Sequence, residues 1–127
     1  MSKLVVVDTS VFIRYLRGDS DDALAILTLK NRVLLSPVVR LELLAGVRKS
    51  EHKTINRLCD ALRPIPSFAS PAECEKLLNR ARGTGLLGGI PDLLIIADAL
   101  RHQALLFSYD QKMKRLGRKL GVGLVEA

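Results

Sequence analysis

Three short apolar runs set the limits on what this chain can fold into. Leu4-Val5-Val6-Val7, Val33-Leu34-Leu35 and Ala104-Leu105-Leu106-Phe107-Ser108 carry no charge and show no polar–apolar alternation. A strand wet on one face would alternate, so continuous apolar runs predict strands buried on both faces. The stretches between them have helical spacing and helix-start signals. Ser10 to Leu16 reads as a helix ended by Gly18, and Asp19, Ser20 and Asp21 offer caps for a second through Ala23, Ile26, Leu27 and Lys30. Ser36-Pro37 opens a helix to about Val47, with Ser as cap and Pro at the first helical position. Ser50 to Leu62 puts Ile55, Leu58, Ala61 and Leu62 on one face. Ser70-Pro71-Ala72-Glu73 is a capping box whose helix stops at Gly83. Pro91 opens a helix to about Gln103, and Asp110 caps another reaching Leu120.

Apolar strands alternating with amphipathic helices predict an α/β chain, a three-layer α/β/α sandwich around a mostly parallel sheet. Four or five strands are expected, in order 3-2-1-4-5, with short strands near Pro64–Pro66 and at Val122–Val125 filling out the sheet. No repeat, low-complexity tract or linker divides the sequence, and 127 residues suit one domain spanning 1–127. The 48% of hydrophobic residues includes few aromatics, so the core must be aliphatic.

Charge narrows the function. Twenty Lys and Arg against 13 Asp and Glu leave +7, a field that attracts polyanions, nucleic acid first among them. Cys59, Cys74, His52 and His102 fall at no metal-ligand spacing, which argues against zinc and for reduced thiols. The apolar run before Asp8 is too short for a signal peptide, and no stretch approaches the ~20 residues of a membrane span. A cytoplasmic protein is expected.

The informative acids are Asp8, Glu42, Asp92 and Asp110. Ligands in open parallel sheets bind beyond the carboxyl ends of the strands. Asp8 directly follows the first strand and Asp110 lies just beyond Phe107-Ser108; Glu42 and Asp92 fall early in helices expected to begin at that rim. Each has an ordinary explanation taken singly: Asp110 as a helix cap, Asp92 as a first-turn acid favoured by the helix dipole. Asp8 and Glu42 stand among apolar neighbours, where an acid is unexpected. Four converging carboxylates repel unless a cation joins them, and oxygen ligands suit Mg²⁺ or Mn²⁺. A carboxylate-held metal beside a basic surface suits phosphodiester hydrolysis. Asp8 and Asp110 are expected to ligate directly, Asp92 directly or through water, and Glu42 to orient or deprotonate the attacking water, or to bind the metal as well. Lys112, Lys114 and Arg115, with Arg118 and Lys119, make the following helix basic; they are candidates to grip nucleic-acid phosphates, or a solvated face.

These residues resemble a known family. Val5-Val6-Val7-Asp8-Thr9-Ser10-Val11-Phe12-Ile13 is similar to the opening of PIN domains, in particular the VapC-type toxins. Three further segments resemble the family in order: Val39 to Gly46 around Glu42, Asp92 to Ala99, and Leu105 to Asp110. The resemblance implies a metal-dependent endoribonuclease using Mg²⁺ or Mn²⁺, with Asp8, Glu42, Asp92 and Asp110 at the acidic positions. It implies that Ser10 and Ser108 support the metal and its waters. It further implies a homodimer and a small antitoxin that blocks the cleft, for which aliphatic helices at 19–30 and 37–62 could offer a groove. The chain departs from the pattern at Ser108, where Thr is frequent, at Lys112, where a second acid is, and at Met113, where an aromatic is. Asp98 replaces a small or hydroxyl residue. It lies six residues beyond Asp92, about 120° round an ideal helix, and is expected on the surface, paired with Arg101 or His102.

Other readings remain beside this one. A non-catalytic nucleic-acid or partner-binding module could keep the same fold, and a housekeeping RNA-processing nuclease could keep the same site. Gly83-Thr84-Gly85-Leu86-Leu87-Gly88 matches the dinucleotide fingerprint in letters, but it follows a helix where the fingerprint must follow a strand. A flexible loop beside Asp92 is the better account.

Overall fold

In a computed structural model, which describes residues 3–19 and 22–126, the apolar runs become strands of one parallel sheet. The strands are β1 (Val5–Val7), β2 (Val33–Leu35), β3 (Arg63–Pro64) and β4 (Leu105–Phe107), in order β3-β2-β1-β4. Val5, Val6 and Val7 are all at most 1% exposed. Successive strand residues point to opposite faces, so layers must cover both sides of β1, as a central parallel strand requires. The expected order holds for four strands. The fifth reduces to a single parallel bridge, Leu106 with Leu124.

The helices are α1 (Thr9–Leu16), α2 (Asp22–Leu29), α3 (Pro37–Gly46), α4 (His52–Asp60), α5 (Pro71–Arg82), α6 (Ile90–Arg101) and α7 (Gln111–Lys119). A single 3-10 turn, Lys49–Glu51, precedes α4. The start signals act as expected: Ser36 Oγ accepts from Val38 N–H, and Ser70 with Glu73 forms both bonds of the capping box. The Ser20 and Asp21 caps expected for α2 lie outside the described residues. The core is aliphatic, with Phe12 and Phe107 as its two aromatic side chains. Among the described residues no helix is long and apolar enough to cross a membrane.

One expectation is overturned. Asp98 is not on the surface: it is 6% exposed and takes a hydrogen bond from the Ser36 hydroxyl. The rotation away from Asp92 is sound, but α6 packs on both the sheet and α3, so the face carrying Asp98 is also an inner one. Arg101 pairs instead with Glu73 at 3.1 Å. His102 stays close enough to stabilise the Asp98 carboxylate, while its Nε2 meets the Ser67 carbonyl.

Candidate active site

Register puts the first two acids together. β1 and β4 are neighbours, with Val7 opposite Phe107, and the Asp8 N–H donates to the Phe107 carbonyl at 2.8 Å. The next residues along each strand are therefore Asp8 and Ser108, side by side at the carboxyl end of the sheet. Ser108 Oγ donates to Asp8 Oδ2 at 2.7 Å and Ser10 Oγ donates to the same oxygen at 2.9 Å. The two hydroxyls in turn accept backbone N–H groups, Ser10 from Tyr109 and Ser108 from Asp110. Asp8 is 6% exposed and Ser108 2%, so these bonds offset the desolvation of a nearly buried carboxylate.

Asp110 caps α7 through Oδ1, which accepts from the Lys112 and Met113 N–H groups. Glu42, on α3, is held by Thr9 Oγ1, which donates to its Oε1 at 2.7 Å. Thr9 begins α1 immediately after Asp8, so the link ties Glu42 to the end of β1. Asp92, in the first turn of α6, has its carboxyl pushed up to about 6. Burial is the largest cause, followed by the charges of Asp8, Asp110 and Glu42, with Lys112 opposing them. The fold thus gathers all four acids within electrostatic reach.

Asp8, Glu42 and Asp110 each engage one oxygen in these bonds, leaving a carboxylate that is oriented and still able to take a cation. An all-oxygen donor set suits a hard divalent ion. Among the described residues no three side chains already form a closed group of metal ligands. The fit therefore rests on donor chemistry and on the surplus negative charge that burdens Asp92.

Three contributors lie outside the residues that the sequence singles out. Thr9 stands within the opening motif, and its position as the first helical residue after Asp8 is the signal that points to it. Gly88 has a steric reason: a Cβ there would come within 3.2 Å of Asp92 Oδ2. The glycine-rich segment is thus a wall that must approach an acid closely. Arg14, one turn beyond Ser10 on α1, lies at 4.1 Å over the ring of Tyr109, the residue between Ser108 and Asp110, and pairs with Asp19 at 3.9 Å. Of the basic candidates, Lys112 is exposed and within reach of Asp92, and Lys114 is half-buried. Arg115 lines a surface hollow with Arg118, Lys119, Thr84 and Leu86.

Comparison with known proteins adds a lineage to this geometry. No curated protein sequence matches the chain. Solved structures do. VapBC2 from Rickettsia felis, bound to a DNA fragment from its promoter, is 20% identical, with 96% of this chain and 97% of that one covered at a TM-score of 0.72. FitAcB from Neisseria gonorrhoeae is 20% identical over 97% of both chains, TM-score 0.68. FitAB bound to an IR36 DNA fragment is 19% identical over 96% of this chain and 94% of that one, TM-score 0.70. At these identities the likeness is one of fold. The family model for the PIN domain matches residues 5–119, from β1 through α7 and across all four acids, and the chain belongs to that family.

Proposed function

We propose that this protein is a metal-dependent endoribonuclease, and the toxin of a toxin–antitoxin pair. PIN domains are in general nucleases. The observation that carries the reading is the gathering of Asp8, Glu42, Asp92 and Asp110 at one rim of a chain whose net charge is +7. Asp8 and Asp110 are the fixed ligands in this reading, each preset by bonds to one oxygen, with Asp92 completing the set as it gives up its proton. Glu42, held by Thr9, orients or deprotonates the attacking water. Ser10 and Ser108 keep Asp8 in place. A bound Mg²⁺ or Mn²⁺ supplies Lewis acidity and lowers the pKa of a bound water. Lys112, with Lys114 and Arg115 behind it, draws the RNA backbone toward the acids.

The test is direct. The purified chain is given labelled RNA with Mg²⁺ or Mn²⁺, and in parallel with excess chelator. Cleavage that needs the metal and disappears in Asp8→Asn is expected. Cleavage indifferent to both changes ends the reading, and a folded, metal-loaded protein without cleavage favours a non-catalytic binding module.

The biological role follows from the same resemblance. VapBC2 and FitAB are complexes, and this chain is proposed to pair likewise with a small antitoxin. Ile26 and Leu29, one helical turn apart on α2, are 50% and 86% exposed and offer it an apolar strip. Homodimerisation is proposed through another face. Leu41, Phe68 and Ile90 are all more than half exposed; Leu41 lies a turn beyond Val38 and Ile90 a turn before Leu94, and both inner residues share a shallow hollow with Phe68. Light scattering should give a dimer, and Leu41→Glu should yield monomer. Expression of the chain alone in the cytoplasm should arrest growth, and Asp8→Asn should not. Harmless wild type with no co-purifying partner makes a housekeeping RNA-processing nuclease the better reading.

A further inference from the structure

A pocket of about 420 Å³ opens between α1, the end of α3 and the 3-10 turn. Its lining combines aliphatic and polar surface: of the aliphatic walls, Leu43 is buried, and Ile13, Leu16 and Val47 are half-buried. Arg17, Arg48 and Glu51 are exposed and stand around its mouth. Glu42 lines the pocket too, and also belongs to the acid cluster. Whatever fills the pocket therefore lies next to the reacting centre.

The lining is a mixture that few ligands satisfy. An aliphatic side chain would use the walls and leave the two guanidinium groups and the carboxylate at the mouth to solvent, unused. A lone phosphate would use the arginines, meet two carboxylates and waste the walls. A nucleobase has apolar faces, N–H donors on its edge, and an anionic phosphate on either side of its sugar. Its faces suit aliphatic walls and guanidinium planes, its N–H groups suit the Glu51 carboxylate, and its phosphates suit Arg17 and Arg48. We propose that this pocket is a nucleobase subsite, which receives an unstacked base of the RNA next to the phosphate held at the acids. The proposal rests on the nuclease reading and sharpens it by assigning one base of the substrate, which must leave its stack to enter, to this pocket.

Gly46 provides a way to plug the pocket. It is a lining residue, its φ is negative, and no heavy atom lies within 4 Å of the place its Cβ would occupy. Gly46→Phe should therefore fill the space with an intact backbone, checked by circular dichroism and melting. Binding of a short, labelled, single-stranded oligoribonucleotide is measured by fluorescence anisotropy in Ca²⁺. Cleavage of that oligonucleotide is compared, in Mn²⁺, with hydrolysis of bis(p-nitrophenyl) phosphate, a diester without a base. The plug should raise the oligonucleotide Kd about tenfold, as expected for one lost stacked base. It should also lower the ratio of kcat/KM for RNA to that for the base-free diester. A second variant, Arg17→Gln with Arg48→Gln, should weaken RNA binding and flatten its salt dependence, which keeps the test sound if the plug disturbs folding. An unchanged Kd in both variants overturns the proposal. So does a plug that leaves RNA binding intact and releases a co-purifying protein, which would assign the pocket to a protein partner. If wild type hydrolyses neither substrate the nuclease reading fails, while the anisotropy result still decides the subsite.

Discussion

Asp8 and Asp98 are equally buried, each 6% exposed, and each takes a hydrogen bond from serine. Their surroundings differ. Asp8 ends a central strand, and three further carboxylates share its rim. Asp98 sits in the middle of a helix, over Ser36, beside a hollow walled by Pro37, Val38, Leu94 and Ala97. Burial and a serine partner thus do not by themselves assign an acid to chemistry or to packing. What distinguishes them is company: one acid shares its rim with others that a cation could join, and the other meets a hydroxyl and a nearby histidine.

The sharpest way to break this comparison is to neutralise each acid without changing its shape. Asp8→Asn should cut metal-dependent RNA cleavage on the order of a thousandfold, with a melting temperature close to wild type. Asp98→Asn should retain cleavage within a few-fold. Equal losses in the two variants would mean that Asp98 belongs to the chemistry and that the distinction drawn from their surroundings is wrong.

Asp92 gives the next largest effect, through pH. Its carboxyl is raised to about 6 by burial and the neighbouring acids, so the proton it holds must leave before it can ligate a cation. Mn²⁺ affinity should fall by up to about tenfold per pH unit below that value. Without metal the sign is opposite for stability. The folded state holds this proton more tightly than the unfolded chain, so stability declines as pH rises from 3.8 to about 6. Added Mn²⁺ should reverse that decline. Calorimetric titrations across this range that show a flat Mn²⁺ affinity would remove Asp92 from the ligand set.

Much of this site is legible in the amino-acid sequence. Short, uninterrupted apolar runs alternating with amphipathic helices point to a covered parallel sheet, and that topology fixes which strand ends share a rim; hence Asp8 and Asp110 come together as expected. Capping signals at Ser36, Ser70 and Asp110 are local chemistry and are visible for that reason. The misplaced residue is also instructive. Rotation about one helix axis puts Asp98 on the surface, yet exposure depends on how many neighbours that helix has, and α6 packs on the sheet, on α3 and on α5. Gly88 escapes a sequence reading because its role lies in a close approach to Asp92, which no local pattern encodes, while Thr9 is marked only by its place directly after Asp8 and its partner Glu42 is set by the fold. The last expected strand shrinks to one bridge for a related reason: pairing at Leu124 depends on how the chain leaves α7.

The basic helix sets a smaller effect. If Lys112 and Arg115 each neutralise one phosphate, replacing both by Gln should reduce the slope of log affinity against log salt by about 1.4 for a single strand. A slope unchanged in the double variant would place the contacts elsewhere, for example on Arg17 and Arg48. Ser36 comes next. Its hydroxyl oxygen accepts from Val38 N–H and its proton goes to Asp98, so Ser36→Ala removes a helix cap and the partner of a buried acid together. A loss of ~1 kcal/mol or somewhat more is expected from urea unfolding, and a neutral result would show that neither bond matters to the fold.

The smallest effect separates the two aspartates most cleanly, because it concerns stability alone. Burial raises the Asp98 carboxyl above its ordinary value of 3.8, more than the Ser36 hydroxyl and the His102 charge lower it. A raised acid is protonated more readily in the folded state than in the unfolded chain. Its ionisation therefore opposes folding, and the penalty grows as pH rises from 3.8 toward the raised value and persists above it. Asn at this position carries no charge to desolvate, and its Oδ1 still accepts the Ser36 hydroxyl. The hollow of about 130 Å³ that Asp98 itself lines leaves room for a water beside the asparagine amide, with or without a second copy over that face. Asp98→Asn should accordingly melt above wild type at pH 7 to 8, with the gap closing toward pH 4. Titration of Asp92 is common to both proteins and cancels in that difference. A variant less stable than wild type at neutral pH would mean that the Asp98 charge is paired more strongly than Ser36 and His102 allow, and would point to a cationic side chain from another molecule reaching the hollow.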